Sequence, residues 1–190
     1  MPETVGVLAL QGSVEPHRRA LAEIGVEAVA VRLPEELAEV GRLVLPGGES
    51  TTLWRLLRLS GLWEPLGERA RAGDLALFGT CAGAILLGRG DAGDPPPRLG
   101  VVDVIVRRNA YGRQLDSFVA PVRYSPAFGG DAAEGVFIRA PKFESIAPSV
   151  EVIAEHDGEP VALRQGRAIL SAFHPELSTD RRLHRRLLEV

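Results

Sequence analysis

Cys81 is the only cysteine in the 190-residue sequence, and its surroundings suit a nucleophile. The apolar residues 75–78 predict a buried strand, and residues 82–87 predict the helix that follows it. A side chain at such a corner projects from the sheet edge, and Gly79 and Gly83 leave room for the tight turn. The positive end of the helix favours the thiolate over the thiol. The alternative, a small buried hydrophobic residue, does not explain the two glycines.

His174 is the histidine best placed to act as a base for such a nucleophile. It follows the apolar residues 168–173 and precedes Pro175, which biases it towards an extended backbone. In an extended chain, His174 and Glu176 project to the same side. The carboxylate could then orient one imidazole nitrogen while the other nitrogen faces the cysteine, which is the arrangement of a catalytic triad.

The other three histidines are predicted to have no catalytic part. His17 lies in a polar helical stretch and His184 in an arginine-rich one, so both are expected to be solvated surface residues. His156 precedes an Asp-Gly turn signal and is expected in a loop.

A third feature is the glycine-rich segment 46–51, which lies between an apolar strand and a helix. Gly47 and Gly48 would allow backbone N–H groups to face a bound atom, as an oxyanion hole requires. Helix N-termini also bind phosphate, but no lysine follows at the spacing of a nucleoside triphosphate site. A plain turn capped by Ser50 is the remaining alternative.

The elements that would position these residues alternate between strand and helix in the first half of the chain. This alternation predicts an α/β fold of three αβα layers, whose mostly parallel central sheet is covered by helices on both faces. After the proline-rich loop at 94–97, strands dominate and predict an antiparallel extension of the sheet. The predicted strands are 5–10, 26–31, 42–45, 75–78, 100–106, 117–122, 135–139, 150–154, 160–163 and 168–173. The predicted helices are 13–24, which Ser13 caps and Gly25 ends, 34–40, 51–59, 62–72, 82–87 and an amphipathic C-terminal helix.

Composition is consistent with a single enzyme domain spanning residues 1–190. Hydrophobic residues make up 45% of the chain, enough for a substantial core. A single cysteine cannot form an intrachain disulfide, and no signal peptide or membrane span is evident, so we expect a cytoplasmic protein. The net charge of −3 gives no basic surface for nucleic acid. The histidines and the cysteine lack metal-ligand spacing, and we expect no metal and no cofactor.

These motifs together resemble the class I, triad-type glutamine amidotransferases. The matching segments are residues 46–51, 79–83 and 174–177. Residues 5–12, 108–114, 116–118 and 137–141 narrow the resemblance to the glutaminase subunit of pyridoxal 5'-phosphate synthase. The resemblance extends from about Val5 to the C-terminal helix and implies the flavodoxin-like class I glutaminase fold.

By this resemblance, the chain hydrolyses L-glutamine to glutamate and ammonia through a γ-glutamyl thioester on Cys81. Ammonia would pass to a synthase subunit that makes pyridoxal 5'-phosphate, so the implied assembly is a hetero-oligomer. His174 would act as acid and base, oriented by Glu176. Backbone N–H groups of Gly48 and Ala82 would form the oxyanion hole. The implied substrate-binding residues are Gly47, Gly48, Glu49, Arg108, Ile138 and Arg139.

Three other functions remain open at this point. The chain could be the glutaminase subunit of another amidotransferase, such as the histidine-pathway cyclase, or a stand-alone cysteine hydrolase of the same fold. It could also be a non-catalytic binding subunit, although an intact Cys81, His174 and Glu176 argue against that. For Arg108 and Arg139, structural ion pairing is the alternative to substrate binding.

Overall fold

A computed structural model describes residues 4–91, 93–108 and 117–190 of the chain. Its strands are β1 (Val5–Leu8), β2 (Val29–Val31), β3 (Arg42–Leu45), β4 (Ala76–Thr80), β5 (Ile105–Arg107), β6 (Phe118–Tyr124), β7 (Ala132–Phe137), β8 (Lys142–Glu144), β9 (Glu151–His156), β10 (Glu159–Gln165) and β11 (Ala168–Ser171). Its α-helices are α1 (Val14–Ala22), α2 (Pro34–Ala38), α3 (Ser50–Leu59), α4 (Trp63–Ala72), α5 (Ala82–Leu87) and α6 (Arg182–Glu189).

Nine of the strands form one sheet in the order β2-β1-β3-β4-β11-β10-β9-β6-β7. The first five strands in this order run parallel to one another, and the remaining four extend the sheet in antiparallel pairs. The four inner parallel strands, β1, β3, β4 and β11, are buried along almost their whole length, as expected for a sheet covered on both faces. The predicted parallel sheet with an antiparallel extension is confirmed.

Helices cover both faces of this sheet, and β4 shows how the layers are arranged. The Phe78 ring contacts His17 of α1 and His184 of α6, with centroid separations of 6.0 and 5.5 Å. The next residue, Gly79, faces α5, where a Cβ would come within 2.7 Å of the Gly83 carbonyl carbon. Because consecutive strand residues point to opposite faces, α1 and α6 lie on one face and α5 on the other. This confirms the three-layer prediction.

The predicted strand at 100–106 is wrong in most of its length. Leu99 and Val101 donate their backbone N–H groups to the carbonyls of Leu86 and Leu87, at 2.8 and 2.7 Å. This segment therefore satisfies the end of α5 instead of joining a sheet. Only residues 105–107 form a strand, which pairs with β8 in a separate two-stranded sheet. The sequence did not indicate β8, which is three residues long and has charged residues at both ends.

The prediction of a loop at His156 is also wrong, because His156 is the last residue of β9. The turn itself is where the Asp-Gly signal placed it. Asp157 and Gly158 have φ angles of 49° and 79°, which suit the two central positions of a type I′ hairpin turn. His156 pairs with Glu159 across that hairpin, so the strand continues to the edge of the turn.

No helix within the described ranges is long and apolar enough to cross a membrane. Among the same residues, no group of three histidine, cysteine or acidic side chains is placed to hold a metal ion.

Candidate functional site

Four adjacent parallel strands, β1, β3, β4 and β11, bring their carboxyl ends to one edge of the sheet. The segments that follow them meet there, as ligand sites of open α/β sheets do. Together with Arg108 after β5 and the two residues after β7, they form a cavity of about 340 Å³, a size typical of small-molecule sites. It is lined by Gly12, Ser13, Gly47, Gly48, Glu49, Ser50, Cys81, Ile85, Arg108, Ile138, Arg139 and His174. The structure thus brings together every predicted site residue except Ala82 and Glu176, which are buried directly beside the lining.

Cys81 occupies a strained corner between β4 and α5. Its φ of 46° and ψ of −101° are unusual for a residue other than glycine. Its backbone N–H donates to the Ser171 carbonyl at 2.8 Å, which ties the corner to the neighbouring strand β11. The Sγ atom lies 3.8 Å from the Ile138 carbonyl oxygen, and the residue is only 5% exposed. The thiol therefore faces a confined part of the cavity.

Both glycines beside this corner are required by close backbone contacts. A Cβ on Gly79 would lie 2.7 Å from the Gly83 carbonyl carbon. A Cβ on Gly83 would lie 2.1 Å from the Leu45 carbonyl oxygen. Neither contact involves a flexible side chain, so any larger residue would displace backbone. This is the physical reason for the glycine spacing seen in the sequence.

The Gly47–Gly48 segment is hydrogen-bonded to the loop that follows β1. The Gly47 carbonyl accepts a hydrogen bond from the Ser13 N–H at 3.2 Å. In a trans peptide the next N–H points the opposite way, so the Gly48 N–H faces away from Ser13. The N–H of Ala82 belongs to the first turn of α5 and has no partner within that helix. These are the two predicted oxyanion donors.

Gly47 also lies against the imidazole of His174. A Cβ at this position would come within 2.3 Å of Cε1 and 3.0 Å of Nδ1 of the ring. We expect Gly47→Ala to displace the imidazole and to lower kcat for the amide hydrolysis expected from the sequence by at least about tenfold, equivalent to about 1.4 kcal/mol of barrier. Cys81 should still react with iodoacetamide, since its own corner is unchanged.

A suitable control for that substitution is Gly67→Ala, in α4 outside the cavity. There the nearest atom to the new Cβ is the terminal Nη2 of Arg71, at 2.9 Å, which a flexible side chain can move. This variant should retain the wild-type rate. A wild-type rate for Gly47→Ala as well would contradict the tight packing of Gly47 on His174.

Helix α3 begins differently from the turn capped by Ser50 that the sequence allowed. Glu49 is the N-cap residue, and its carboxylate accepts hydrogen bonds from the N–H groups of Thr51 and Thr52, at 3.0 and 2.6 Å. Burial alone would raise the pKa of Glu49, but these hydrogen bonds lower it to about 2. The carboxylate is thus engaged by the helix. Ser13 does occupy the N-cap position of α1, but its side chain makes no capping hydrogen bond.

The two candidate arginines differ in their partners. Arg108 donates to the Pro95 carbonyl, and its Nη2 lies 3.9 Å from Glu49 Oε1. Arg139 is exposed and makes no hydrogen bond or ion pair with the described residues, so ion pairing does not explain its position. Its φ of 47° is a second strained backbone position at the cavity.

His174 and Glu176 contact each other, but not through the extended chain that the sequence suggested. Pro175–Leu177 forms a 3-10 turn, because the fixed φ of proline suits the first position of a helical turn. His174 Nδ1 lies 2.7 Å from Glu176 Oε1, and both residues are only 5% exposed. Burial lowers the pKa of His174, but hydrogen bonds with Cys81 and Glu176 outweigh it and raise that pKa to about 10. Burial raises the pKa of Glu176, but the nearby His17 and the hydrogen bond with His174 lower it to about 2.

The prediction that His17 and His184 are solvated is wrong, since both are fully buried. His17 shares the buried face of α1 with Ala20 and Leu21, at the i+3 and i+4 positions that lie on one side of a helix. In α6, His184 packs beside buried leucines on Phe78. His17 Nδ1 lies 3.0 Å from His184 Nε2. Burial lowers the pKa of His17 to about 4 and that of His184 to about 3, so both rings are neutral near pH 7.

This burial predicts a loss of stability in mild acid. Below pH 6.5 the unfolded chain binds protons on His17 and His184, whereas the folded chain binds them only near pH 4 and pH 3. The free energy of unfolding should therefore fall as the pH is lowered from 6.5 to 4.5, by up to about 1.4 kcal/mol per pH unit for each histidine. Urea denaturation across this range measures the slope. A midpoint that stays constant would contradict the neutral buried pair.

Several cavity residues were not predicted as site residues. Gly12 and Ser13 follow β1 at the same sheet edge as the predicted residues, so the topology of a parallel sheet could have indicated them. Ser50 and Ile85 are ordinary helix residues whose exposure to the cavity follows only from packing. Gln11 was also missed, although its amide fills the space where a Cβ of Gly48 would lie, at 2.4 to 2.8 Å. The resemblance at 109–114 and 116 falls outside the described residues.

The model of the SNO glutamine amidotransferase family matches residues 7–190. A curated protein of Mycobacteroides abscessus, named pyridoxal 5'-phosphate synthase subunit PdxT, is 50% identical over 192 residues, covering 100% of this chain and 98% of that protein. Proteins of the same name from Streptomyces avermitilis and Chloroflexus aurantiacus are 53% and 50% identical. They cover 95% and 98% of this chain and 90% and 100% of their own lengths.

Solved structures give the same picture of the fold. A crystal structure described as glutamine amidotransferase has a TM-score of 0.90 and 48% identity, covering 98% of this chain and 97% of that one. PurLQS from Thermotoga maritima has a TM-score of 0.73 at 17% identity, covering 100% of this chain and 99% of that one, which supports the fold alone.

Proposed function

Because the chain belongs to the SNO glutamine amidotransferase family, we propose that it is the glutaminase subunit of a pyridoxal 5'-phosphate synthase. The observation that carries the proposal is one cavity holding a strained, confined cysteine and a histidine bonded to a buried carboxylate. This arrangement suits nucleophilic attack on an amide. Three relatives at about 50% identity are named pyridoxal 5'-phosphate synthase subunits. Their names favour this function over that of a histidine-pathway subunit.

In the first half of the reaction, the Cys81 thiolate attacks the side-chain carboxamide carbon of L-glutamine. The carbonyl oxygen becomes an oxyanion, stabilised by the N–H groups of Gly48 and Ala82. His174, charged near neutral pH, gives its proton to the amide nitrogen. The C–N bond then breaks, ammonia leaves, and a γ-glutamyl thioester remains on Cys81.

In the second half, His174 is neutral and takes a proton from water. The resulting hydroxide attacks the thioester carbon, glutamate is released, and the Cys81 thiolate is regenerated. Glu176 holds the imidazole through Nδ1 at 2.7 Å and stabilises its charged form in both halves. It does not itself gain the transferred proton.

Substrate recognition requires a partner for the charged end of glutamine. We assign this to Arg139, whose guanidinium is exposed, lines the cavity and has no ion pair among the described residues. A planar guanidinium binds a carboxylate through two hydrogen bonds. Arg108, Ile138, Gly47, Gly48 and Glu49 complete the proposed site.

The proposed partner is a synthase subunit that consumes the ammonia. Ammonia released into water is protonated and lost as a nucleophile, so hydrolysis is useful only when the consuming site is close by. The free thiol of Cys81 fits a reducing compartment, and we place the complex in the cytoplasm.

The test is ammonia release from glutamine by the full chain, with and without the synthase subunit. We expect slow turnover by the free chain and stimulation of at least about tenfold by the synthase. Equal turnover in both states would favour a stand-alone cysteine hydrolase. Stimulation by a histidine-pathway cyclase but not by the synthase would favour the other amidotransferase.

A further inference from the structure

Behind the Glu176 carboxylate lies a buried polar cluster formed by His17, Thr80 and His184. None of these residues lines the cavity, and all three are fully buried. Glu176 uses Oε1 for His174, while its Oε2 lies 3.3 Å from His17 Nε2. Oε2 has no hydrogen-bond partner within the described residues, so its contact with His17 is electrostatic. His17 is therefore the group that faces the second oxygen of the proposed orienting carboxylate.

The hydrogen-bond pattern fixes which nitrogen of His17 carries the proton. His17 and His184 are both neutral, and a neutral imidazole has one N–H group. They share one hydrogen bond, from His17 Nδ1 to His184 Nε2 or the reverse. If His17 donated it, its bare Nε2 would face a carboxylate, and the N–H on His184 Nδ1 would be buried without a partner. The Thr80 hydroxyl could donate to that nitrogen, but the lone pair facing Glu176 and the unpaired N–H of His184 both disfavour this arrangement.

In the opposite arrangement, every N–H group has an acceptor. His184 donates from Nε2 to His17 Nδ1, and His17 carries its proton on Nε2. His17 Nε2 then donates to Thr80 Oγ1 at 3.2 Å, and the same nitrogen lies 3.3 Å from Glu176 Oε2. The only group left without a partner is then the lone pair on His184 Nδ1. Burying an unpaired lone pair costs less free energy than burying an unpaired N–H or placing a lone pair against a carboxylate.

We propose that His17 is a positioning residue for the glutaminase reaction. Its Nε2–H bonds Thr80 and presents its positive end to Glu176 Oε2, while His184 fixes this tautomer. The proposal rests on the proposed function. A neutral donor restrains the carboxylate without neutralising it, so the full negative charge remains for the His174 imidazolium. The charged groups that face His17 are Glu176, which favours its protonation, and His174 and Arg181, which oppose it.

The first test needs no substitution and no activity. Nitrogen-15 NMR of histidine-labelled full chain near pH 7 distinguishes the two neutral tautomers of each ring. We expect the Nε2–H tautomer for both His17 and His184. An Nδ1–H tautomer or a charged ring for His17 would overturn the proposal, whether or not the chain proves to be a glutaminase.

The second test compares three variants, assayed with the synthase subunit. His17→Leu removes the donor and should lower kcat for glutamine hydrolysis by at least about tenfold with little change in KM. His17→Gln can place an amide N–H near the Nε2 position and should recover most of the rate. The control variant is His156→Gln. His156 forms a hydrogen bond with the Pro121 carbonyl and does not line the cavity, so this variant should keep the wild-type rate.

Equal losses in His17→Leu and His17→Gln would reduce His17 to a packing residue and overturn the proposal. Wild-type rates in both would do the same. An inactive wild-type chain would count against the proposed function instead, and the NMR experiment would still decide the His17–Glu176 contact. If His17→Leu does not fold, the tautomers of the wild-type chain and the rate of His17→Gln still test the role of His17.

Discussion

Cys81→Ala should abolish glutamine hydrolysis, with a loss in kcat of at least about four orders of magnitude, because the thioester cannot form without the sulfur. The protein should remain folded. Alanine keeps the Cβ, so the strained backbone at φ 46° changes little, and the lost sulfur leaves a small gap beside Ile138. Ammonia release with the synthase subunit measures the activity, and urea denaturation should show a change of no more than about 1 to 2 kcal/mol.

The second variant at this position is Cys81→Ser, which places a hydroxyl where the thiol was. A hydroxyl is much less acidic than a thiol. A serine hydroxyl is mostly protonated near neutral pH, so we expect this variant to be as inactive as the alanine variant within about tenfold. Ammonia release at the wild-type rate by either variant would remove Cys81 from the mechanism.

His174→Ala should cause a loss approaching that of Cys81→Ala, since the imidazole transfers protons in both halves of the proposed reaction. Glu176→Gln should be milder, because the carboxylate orients and stabilises the imidazole but transfers no proton. In triads the loss of the orienting group still costs up to about four orders of magnitude, so a small residual rate is expected. Both variants are assayed for kcat with the synthase subunit.

Folding must be verified for Glu176→Gln in particular. The side chain is fully buried, and the amide would have to satisfy His174 on one side and His17 on the other. Removing the charge should also lower the pKa of His174, because Glu176 is one of the groups that raise it. Wild-type turnover by folded samples of both variants would contradict the assignment of His174 and Glu176.

The sequence was sufficient to predict the elements whose signals are local. The flanking glycines predicted a tight corner at Cys81, and the close contacts of Gly79 and Gly83 explain why glycine is required there. Alternating strands and helices predicted a parallel sheet, and such a sheet collects the ends of adjacent strands at one edge. This is why segments distant in the chain could be assigned to one site before their contacts were known.

What the sequence could not indicate depends on packing between distant segments. His17 is polar and lies among charged residues of α1, but it faces Phe78, His184 and Glu176, which come from three other parts of the chain. Its burial is set by which side of the helix meets the sheet. The same holds for residues 100–104, whose apolar character suits a strand but whose N–H groups are used at the end of α5.

A glutamine-mimicking electrophile, such as a diazo-ketone analogue, tests the central claim most directly. The full chain is incubated with the reagent in the presence of the synthase subunit, and the modified site is located by mass spectrometry. A chain that hydrolyses glutamine through a thioester on Cys81 gains one mass increment, on Cys81 alone, and excess glutamine slows the labelling. Modification at another residue, no modification, or labelling of Cys81 that glutamine does not slow would contradict the account.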